Sequence, residues 1–138
     1  MNRQEFSKCL TNIRIDANCG MNEISRRTGM TFIQIQRLES AQNNYSLVNV
    51  LRYIQGLNCT LVLTYNDVGY TIQTYQDIPV YLQQCRRKIG WSRAKLAELA
   101  GCSKGGIVQT ETQKTVLHID LFLALASLLE LQIIIKNE

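Results

Sequence analysis

An internal repeat is the feature of this chain that most constrains its fold. Shifting the 138-residue sequence by 72 positions aligns identical residues without a gap. The identical pairs are Leu10 and Leu82, Arg14 and Arg86, Gly29 and Gly101, Ile35 and Ile107, Glu39 and Glu111, Leu51 and Leu123, and Leu57 and Leu129. A chance match would not keep one register over such a length. The chain is therefore predicted to contain two copies of one structural unit.

The repeat divides the chain into three predicted segments. Residues 1–65 form the first repeat, residues 66–76 a connecting hairpin turn and strand, and residues 77–138 the second repeat. Apolar residues at helical spacing predict several short helices in each copy. In the first repeat these are expected at about 3–15, 20–28, 31–39 and 46–56, with equivalents in the second.

Capping residues mark the predicted helix boundaries. Thr31, Ser92 and Ser103 are expected to cap helix N-termini, and Gly29 and Gly101 to end helices in the left-handed conformation.

The first helix of the second repeat has its own predicted start. Asp77 is expected to cap it, with Pro79 in its first turn and Val80, Leu82 and Cys85 on its buried side.

Alternating and β-branched residues predict one strand at the end of each helical set. Residues 60–65 and 70–75 flank a turn and form a hairpin, and residues 131–136 are the second repeat's equivalent of the first of these strands. Because an isolated hairpin is marginal in water, residues 131–136 are expected to pair with it. The predicted fold is mainly α, with two helical units joined by a small antiparallel β-sheet.

Composition excludes several classes of protein. The longest apolar runs, such as Ile133–Ile135, are far shorter than the roughly 18 residues of a membrane span. The N-terminus lacks the apolar core of a signal peptide, so a cytoplasmic location without membrane association is expected. The net charge of +4 permits an anionic partner without requiring one.

Residues that carry enzyme chemistry are not grouped in this sequence. The five cysteines form no Cys-x-x-Cys pair and there is a single histidine, so neither a metal site nor a disulfide framework is expected. We find no nucleophile–base pair and no glycine-rich phosphate loop. The chain is therefore predicted not to be an enzyme and to need no cofactor.

Two segments in the same phase of the repeat resemble the helix-turn-helix of the Cro and phage-repressor family. Residues 24–39 and 96–111 each contain an apolar–small pair, a glycine at the turn, a Ser or Thr cap, a buried aliphatic residue and a closing Glu. The resemblance implies lambda-repressor-like units whose second helix enters the DNA major groove.

The resemblance also assigns residues to DNA. The positions that would contact bases are Phe32, Ile33, Gln34, Gln36 and Arg37 in the first repeat, and Lys104 and Gln109 in the second. The positions that would contact phosphates are Gly20, Arg26, Arg27, Ser92, Arg93 and Lys95.

Each of these assignments has an alternative. Phe32 and Ile33 would equally suit a core or a protein interface, and the basic residues a solvated helix face. In the second repeat two glycines weaken the reading helix. Either they let the backbone approach the DNA closely, or this unit has lost base reading and Lys104 contacts only phosphate or no DNA at all.

The family also has a partly buried ion pair that ties the first helix to the end of the recognition helix. Arg14 and Glu39, and their equivalents Arg86 and Glu111, occupy these places. Both pairs are predicted to form, with a structural role.

The function expected from the resemblance is sequence-specific, DNA-binding regulation of transcription. The alternative is an antitoxin or another protein-binding module on the same scaffold. The partners considered are double-stranded DNA, a second copy joined through strand edges, and a cognate toxin protein.

Overall fold

The structure, a computed structural model, describes residues 1–138 and contains eight helices and three strands. The elements are α1 (Arg3–Asp16), α2 (Met21–Thr28), α3 (Phe32–Glu39), α4 (Leu47–Gly56), β1 (Cys59–Tyr65), β2 (Val68–Ile72), α5 (Asp77–Ile89), α6 (Arg93–Ala100), α7 (Lys104–Glu111), α8 (Ile119–Leu128) and β3 (Gln132–Asn137). The predicted mainly helical fold with a small antiparallel sheet is confirmed.

The helix boundaries follow from local side-chain chemistry. The hydroxyl of Thr31 accepts the N–H of Gln34, whose side chain accepts the N–H of Thr31 in return, so α3 begins with a capping box. Ser103 caps α7 through its hydroxyl alone, which accepts the N–H of Gly106. Gly29 ends α2 with a φ of 72°, which a residue with a Cβ adopts only at a cost.

Two expectations for α5 were wrong. Asp77 is not the cap; it is the first helical residue, and its carboxylate accepts the N–H groups of Gln73 and Thr74 at 2.9 and 3.0 Å. It therefore closes the turn that precedes the helix. Val80 is exposed, because the inward face of α5 passes instead through Ile78 and Leu82.

The sheet has the strand order β2-β1-β3, with β1 antiparallel to both neighbours. The predicted pairing of the last strand with the hairpin is therefore confirmed. In this pairing Val62 lies opposite Ile134, which is its own equivalent 72 positions later. The flanking pairs are Leu61 with Ile135 and Leu63 with Ile133.

The two repeats meet a second time just before α4 and α8. Ser46 bridges to His118, again its own equivalent. The N–H of Leu47 donates to the carbonyl oxygen of Leu117 at 2.9 Å. The equivalent N–H, of Ile119, donates to Tyr45 at 2.9 Å. Such exchange of equivalent partners is what a two-fold rotation produces. Together with the sheet, it places an approximate two-fold axis between the repeats.

One hydrophobic core serves both repeats. Its 31 buried residues form a single cluster drawn from the helices of both repeats, from Cys59, Leu61 and Leu63 of β1 and from Ile72 of β2, together with a few loop residues. The largest fully buried side chains include Tyr53 and Phe6 from the first repeat and Phe122 from the second. None of the helices is both long and apolar enough to cross a lipid bilayer.

Candidate nucleic-acid interface

The first candidate element is the pair α2 and α3 with the corner at Gly29 between them. Ile24, Met30, Ile35 and Leu38 are all buried, so both helices are held against the core. The hydroxyl of Ser25 donates to the carbonyl oxygen of Met30 at 2.6 Å across the corner. This packing fixes the angle at which α3 leaves the corner.

The side of α3 that faces away from the core carries four exposed residues whose side chains take no part in capping the helix. Phe32 and Ile33 are 50% and 57% exposed, and Gln36 and Arg37 are exposed beside them at helical spacing. We call these four residues the α3 face. Gln34, predicted with them, is also exposed, but its side chain is engaged in the capping box.

The second candidate element, α6 and α7 around Gly101, has the same shape but a different outward side. At the positions equivalent to the α3 face it carries Lys104, Gly105, Val108 and Gln109, which we call the α7 face. All but the half-buried Val108 are exposed. Thr110 fills the buried place that Leu38 has in the first repeat, and its hydroxyl donates to Gly106 at 2.9 Å.

Both predicted ion pairs are present, with equivalent geometry. Arg14 donates from Nε to Oε2 of Glu39 at 2.6 Å and from Nη2 to Oε1 at 3.0 Å. Arg86 donates likewise to Glu111 at 2.7 and 2.9 Å. In each repeat the remaining Nη1 donates to a backbone carbonyl five residues later. Each pair thereby joins the first helix of its repeat to the end of the outward helix.

The two carboxylates differ in their third partner, which the sequence reading missed. The hydroxyl of Tyr53 donates to Glu39, whereas Nε of Arg93 donates to Glu111 at 2.8 Å. The pKa of the Tyr53 phenol is raised, mainly by burial and secondly by its hydrogen bond to Glu39. Burial alone would raise the pKa of Glu111, but the hydrogen bonds and charges of Arg86 and Arg93 outweigh it and lower that pKa.

The predicted phosphate-contacting residues fall into free and engaged groups. Gly20 and Ser92 occupy exposed N-cap positions of α2 and α6, and Lys95 is exposed without an ion pair. Arg26 is 75% exposed and makes only a long ion pair with Glu23, at 3.9 Å.

Arg27 and Arg93 are the engaged ones. Arg27 pairs with Glu23 at 2.6 Å and also donates to the carbonyl oxygen of Gly56. Arg93 was expected to be free for phosphate, but its Nε is held by Glu111, so only its terminal N–H groups remain available. The pair of Arg27 with Glu23 could be predicted from its i, i+4 spacing. The bond between Arg93 and Glu111 depends on tertiary packing.

Comparison of the chain with protein-family models, with curated proteins and with solved structures gave no match. Its function has to be inferred from its own geometry and chemistry.

Proposed function

We propose that the protein is a sequence-specific DNA-binding regulator of transcription, built from two helix-turn-helix units of the Cro and phage-repressor type. The observation that carries this proposal is the α3 face. An eight-residue helix, held by buried residues on one side, presents Phe32, Ile33, Gln36 and Arg37 to solvent on the other.

The chemistry of the α3 face suits the edges of base pairs. The guanidinium of Arg37 can donate two hydrogen bonds to O6 and N7 of a guanine, and the amide of Gln36 can pair with an adenine. Phe32 and Ile33 supply apolar contact for thymine methyl groups. Arg37 makes no ion pair within the chain, so its charge is free for a partner.

The symmetry of the molecule supports binding to one duplex by both repeats. A two-fold rotation places the α3 and α7 faces at equal heights along its axis, as two recognition helices on one duplex require. Dimers of this class use that arrangement, placing two recognition helices in successive major grooves about 34 Å apart. Here one chain supplies both.

The ion pairs have a positioning role in this proposal. Arg14 and Glu39 bridge α1 to the last residue of α3, and base recognition requires a helix whose orientation is fixed.

Binding to duplex DNA should weaken steeply as salt is added, because each neutralised phosphate releases counterions. The logarithm of the affinity should fall with the logarithm of salt concentration with a slope of about −0.9 per phosphate contacted. Gel shifts of the wild-type protein on a random duplex pool, from low to physiological salt, measure this slope. A flat response, or no binding at low salt, would contradict the proposal.

Arg37→Ala should weaken the complex with a selected binding sequence by about 1–3 kcal/mol, the worth of a bidentate arginine–guanine contact. Arg52→Ala is the matched control, because Arg52 is an exposed arginine on α4, outside both two-helix elements. Titration of one labelled duplex with both variants makes the comparison. Equal losses in the two variants would mean that Arg37 contributes only charge.

A second candidate function is a protein-binding module, such as an antitoxin. The adjacent exposed pair Phe32 and Ile33 favours it, since such pairs are typical of protein interfaces. The outer edge of β3 is also unpaired in this chain and would accept a strand from a toxin or from a second copy. If the protein does not bind duplex DNA but co-purifies with the product of a neighbouring gene, the protein-binding function is supported over DNA binding.

A further inference from the structure

We propose that the two repeats divide the work on DNA, the first reading bases and the second anchoring the same duplex by its phosphates. The preferred target is then a single asymmetric half-site beside a flank of any sequence. This inference rests on the proposed DNA binding and concerns what each repeat contributes to it.

The first observation is that the α7 face lacks the aromatic ring, the isoleucine and the guanidinium of the α3 face and keeps only Lys104 and Gln109 as groups that can bond to a base. Where the α3 face has Phe32, Ile33 and Arg37, the α7 face has Lys104, Gly105 and Gln109. Two large apolar groups and a guanidinium are thereby replaced by a flexible amine, a hydrogen atom and an amide.

Packing does not account for Gly105. A Cβ built there would come no closer than 4.0 Å to any neighbour, the hydroxyl of Ser103, and the backbone φ is not positive. A side chain would therefore fit without strain, yet none is present. Gly106 differs, because a Cβ there would lie 3.3 Å from the same hydroxyl, which caps the helix.

The second observation is the opposite change of charge where α2 and α6 begin. Met21 and Glu23 in the first turn of α2 are replaced in α6 by Arg93 and Lys95. The formal charge of these two positions changes from −1 to +2. A helix N-terminus with basic side chains is suited to phosphate, whereas Glu23 supplies a carboxylate there, which pairs with Arg27 at 2.6 Å.

The basic residues of α2 lie elsewhere. Arg26 and Arg27 are in its last turn, next to the corner that leads to α3, and their equivalents in α6 are Glu98 and Leu99. Positive charge therefore accompanies the reading helix in the first repeat and the helix N-terminus in the second.

Arg93 is also held in place. Its Nε donates to Glu111, which is itself fixed by Arg86, and its side chain remains 31% exposed. The carboxylate thus orients the guanidinium at the start of α6, with its terminal N–H groups left for an anion. Met21 offers the first repeat no comparable group.

Selection of bound sequences from a random duplex pool tests the division directly. The wild-type protein should enrich one informative half-site and no defined sequence at the two-fold-related position. A variant that carries the α3 face on α7 should instead enrich an inverted repeat. The required changes are Lys104→Phe, Gly105→Ile, Val108→Gln and Gln109→Arg. Gly106 is kept because its Cβ would crowd the cap.

Three outcomes would overturn the inference. The wild type could select two informative half-sites, or it could select no motif although its binding depends on salt. The third outcome is an unchanged motif for the grafted variant, provided that this variant unfolds at the same temperature as the wild type. Absence of any duplex binding by the wild type would instead reject the proposed function itself.

The anchoring role has a separate test that does not depend on the graft. Lys95→Glu restores the charge that Glu23 has in the first repeat. It should reduce the salt slope by about one phosphate contact and leave the selected motif unchanged. Lys136→Glu in β3 is the control with the same charge change. A changed motif for Lys95→Glu, or equal slopes for the two variants, would contradict the anchor.

Discussion

Replacing Glu111 with glutamine is expected to lower the free energy of unfolding by about 3–5 kcal/mol, the usual result of removing one partner from a buried ion pair. The side chains of Arg86 and Glu111 are only 7% and 5% exposed. Without the carboxylate, the guanidinium of Arg86 would remain buried with no counter-charge, and Arg93 would lose its partner as well. Urea unfolding followed by circular dichroism measures the change.

Three control variants separate burial from simple charge loss. Glu39→Gln should be less damaging, because its ion pair is more exposed, at 13% and 12%. Arg93→Ala should lose less than about 1 kcal/mol, since a partly exposed bridge contributes little. The double replacement Arg86→Met with Glu111→Leu should be less destabilised than Glu111→Gln, because no buried charge is left unpaired. A loss below about 1 kcal/mol for Glu111→Gln would contradict the argument.

The same carboxylate gives a pH dependence of known sign. Its pKa is lower in the folded protein than its ordinary value, so the unfolded chain binds the proton more readily. Its contribution is therefore complete above the ordinary glutamate pKa of about 4.3 and is lost as the pH falls through the folded value. The difference in stability between the wild type and Glu111→Gln should shrink over that acid range.

The helices could be predicted from the sequence because their boundaries are set by local chemistry. Thr31 and Ser103 cap helices through hydrogen bonds to backbone groups three residues away, and Gly29 supplies a left-handed residue at the corner. Such contacts span few residues and have little competition. The repeat strengthened each of these predictions, because each boundary occurs twice.

The arrangement of side chains was less predictable, since it depends on packing between distant segments. Arg93 looks like a free surface cation in the sequence, yet Glu111 lies within reach of it only after α6 and α7 fold against α5. Tyr53 reaches Glu39 in the same way, from α4. Asp77 was misjudged for a local reason, because its carboxylate can serve the N–H groups that precede the helix as well as those within it.

The sequence predicted that the copies would share a sheet but not how they would face each other. The symmetric orientation depends on the pairing of Val62 with Ile134 and of Ser46 with His118. Periodicity indicates which face of a strand is buried, but it does not specify which residues of two strands lie opposite each other. The two-fold relation, on which the proposed DNA geometry depends, therefore came from the structure.

Leu47→Ala, a change within the first repeat, is expected to destabilise both repeats together, by about 2–5 kcal/mol. Leu47 is completely buried, and its N–H donates to the second repeat where the two copies meet. Trp91, the chain's only tryptophan, reports on the second repeat alone, whereas circular dichroism reports on all of the helices. Because the copies share one core, the urea midpoints from tryptophan fluorescence and from circular dichroism should coincide and move down by the same amount.

Independent domains would behave differently, which makes this comparison decisive for how the chain is organised. If residues 1–65 and 77–138 folded separately, Leu47→Ala would shift only part of the dichroism transition and leave the Trp91 fluorescence midpoint in place. Ile33→Ala is the matched control, since Ile33 is 57% exposed on the α3 face and its loss should hardly change stability. A rigid link between the repeats is also what the proposed binding requires, because a second repeat that moved freely could not hold the first in register with a single duplex.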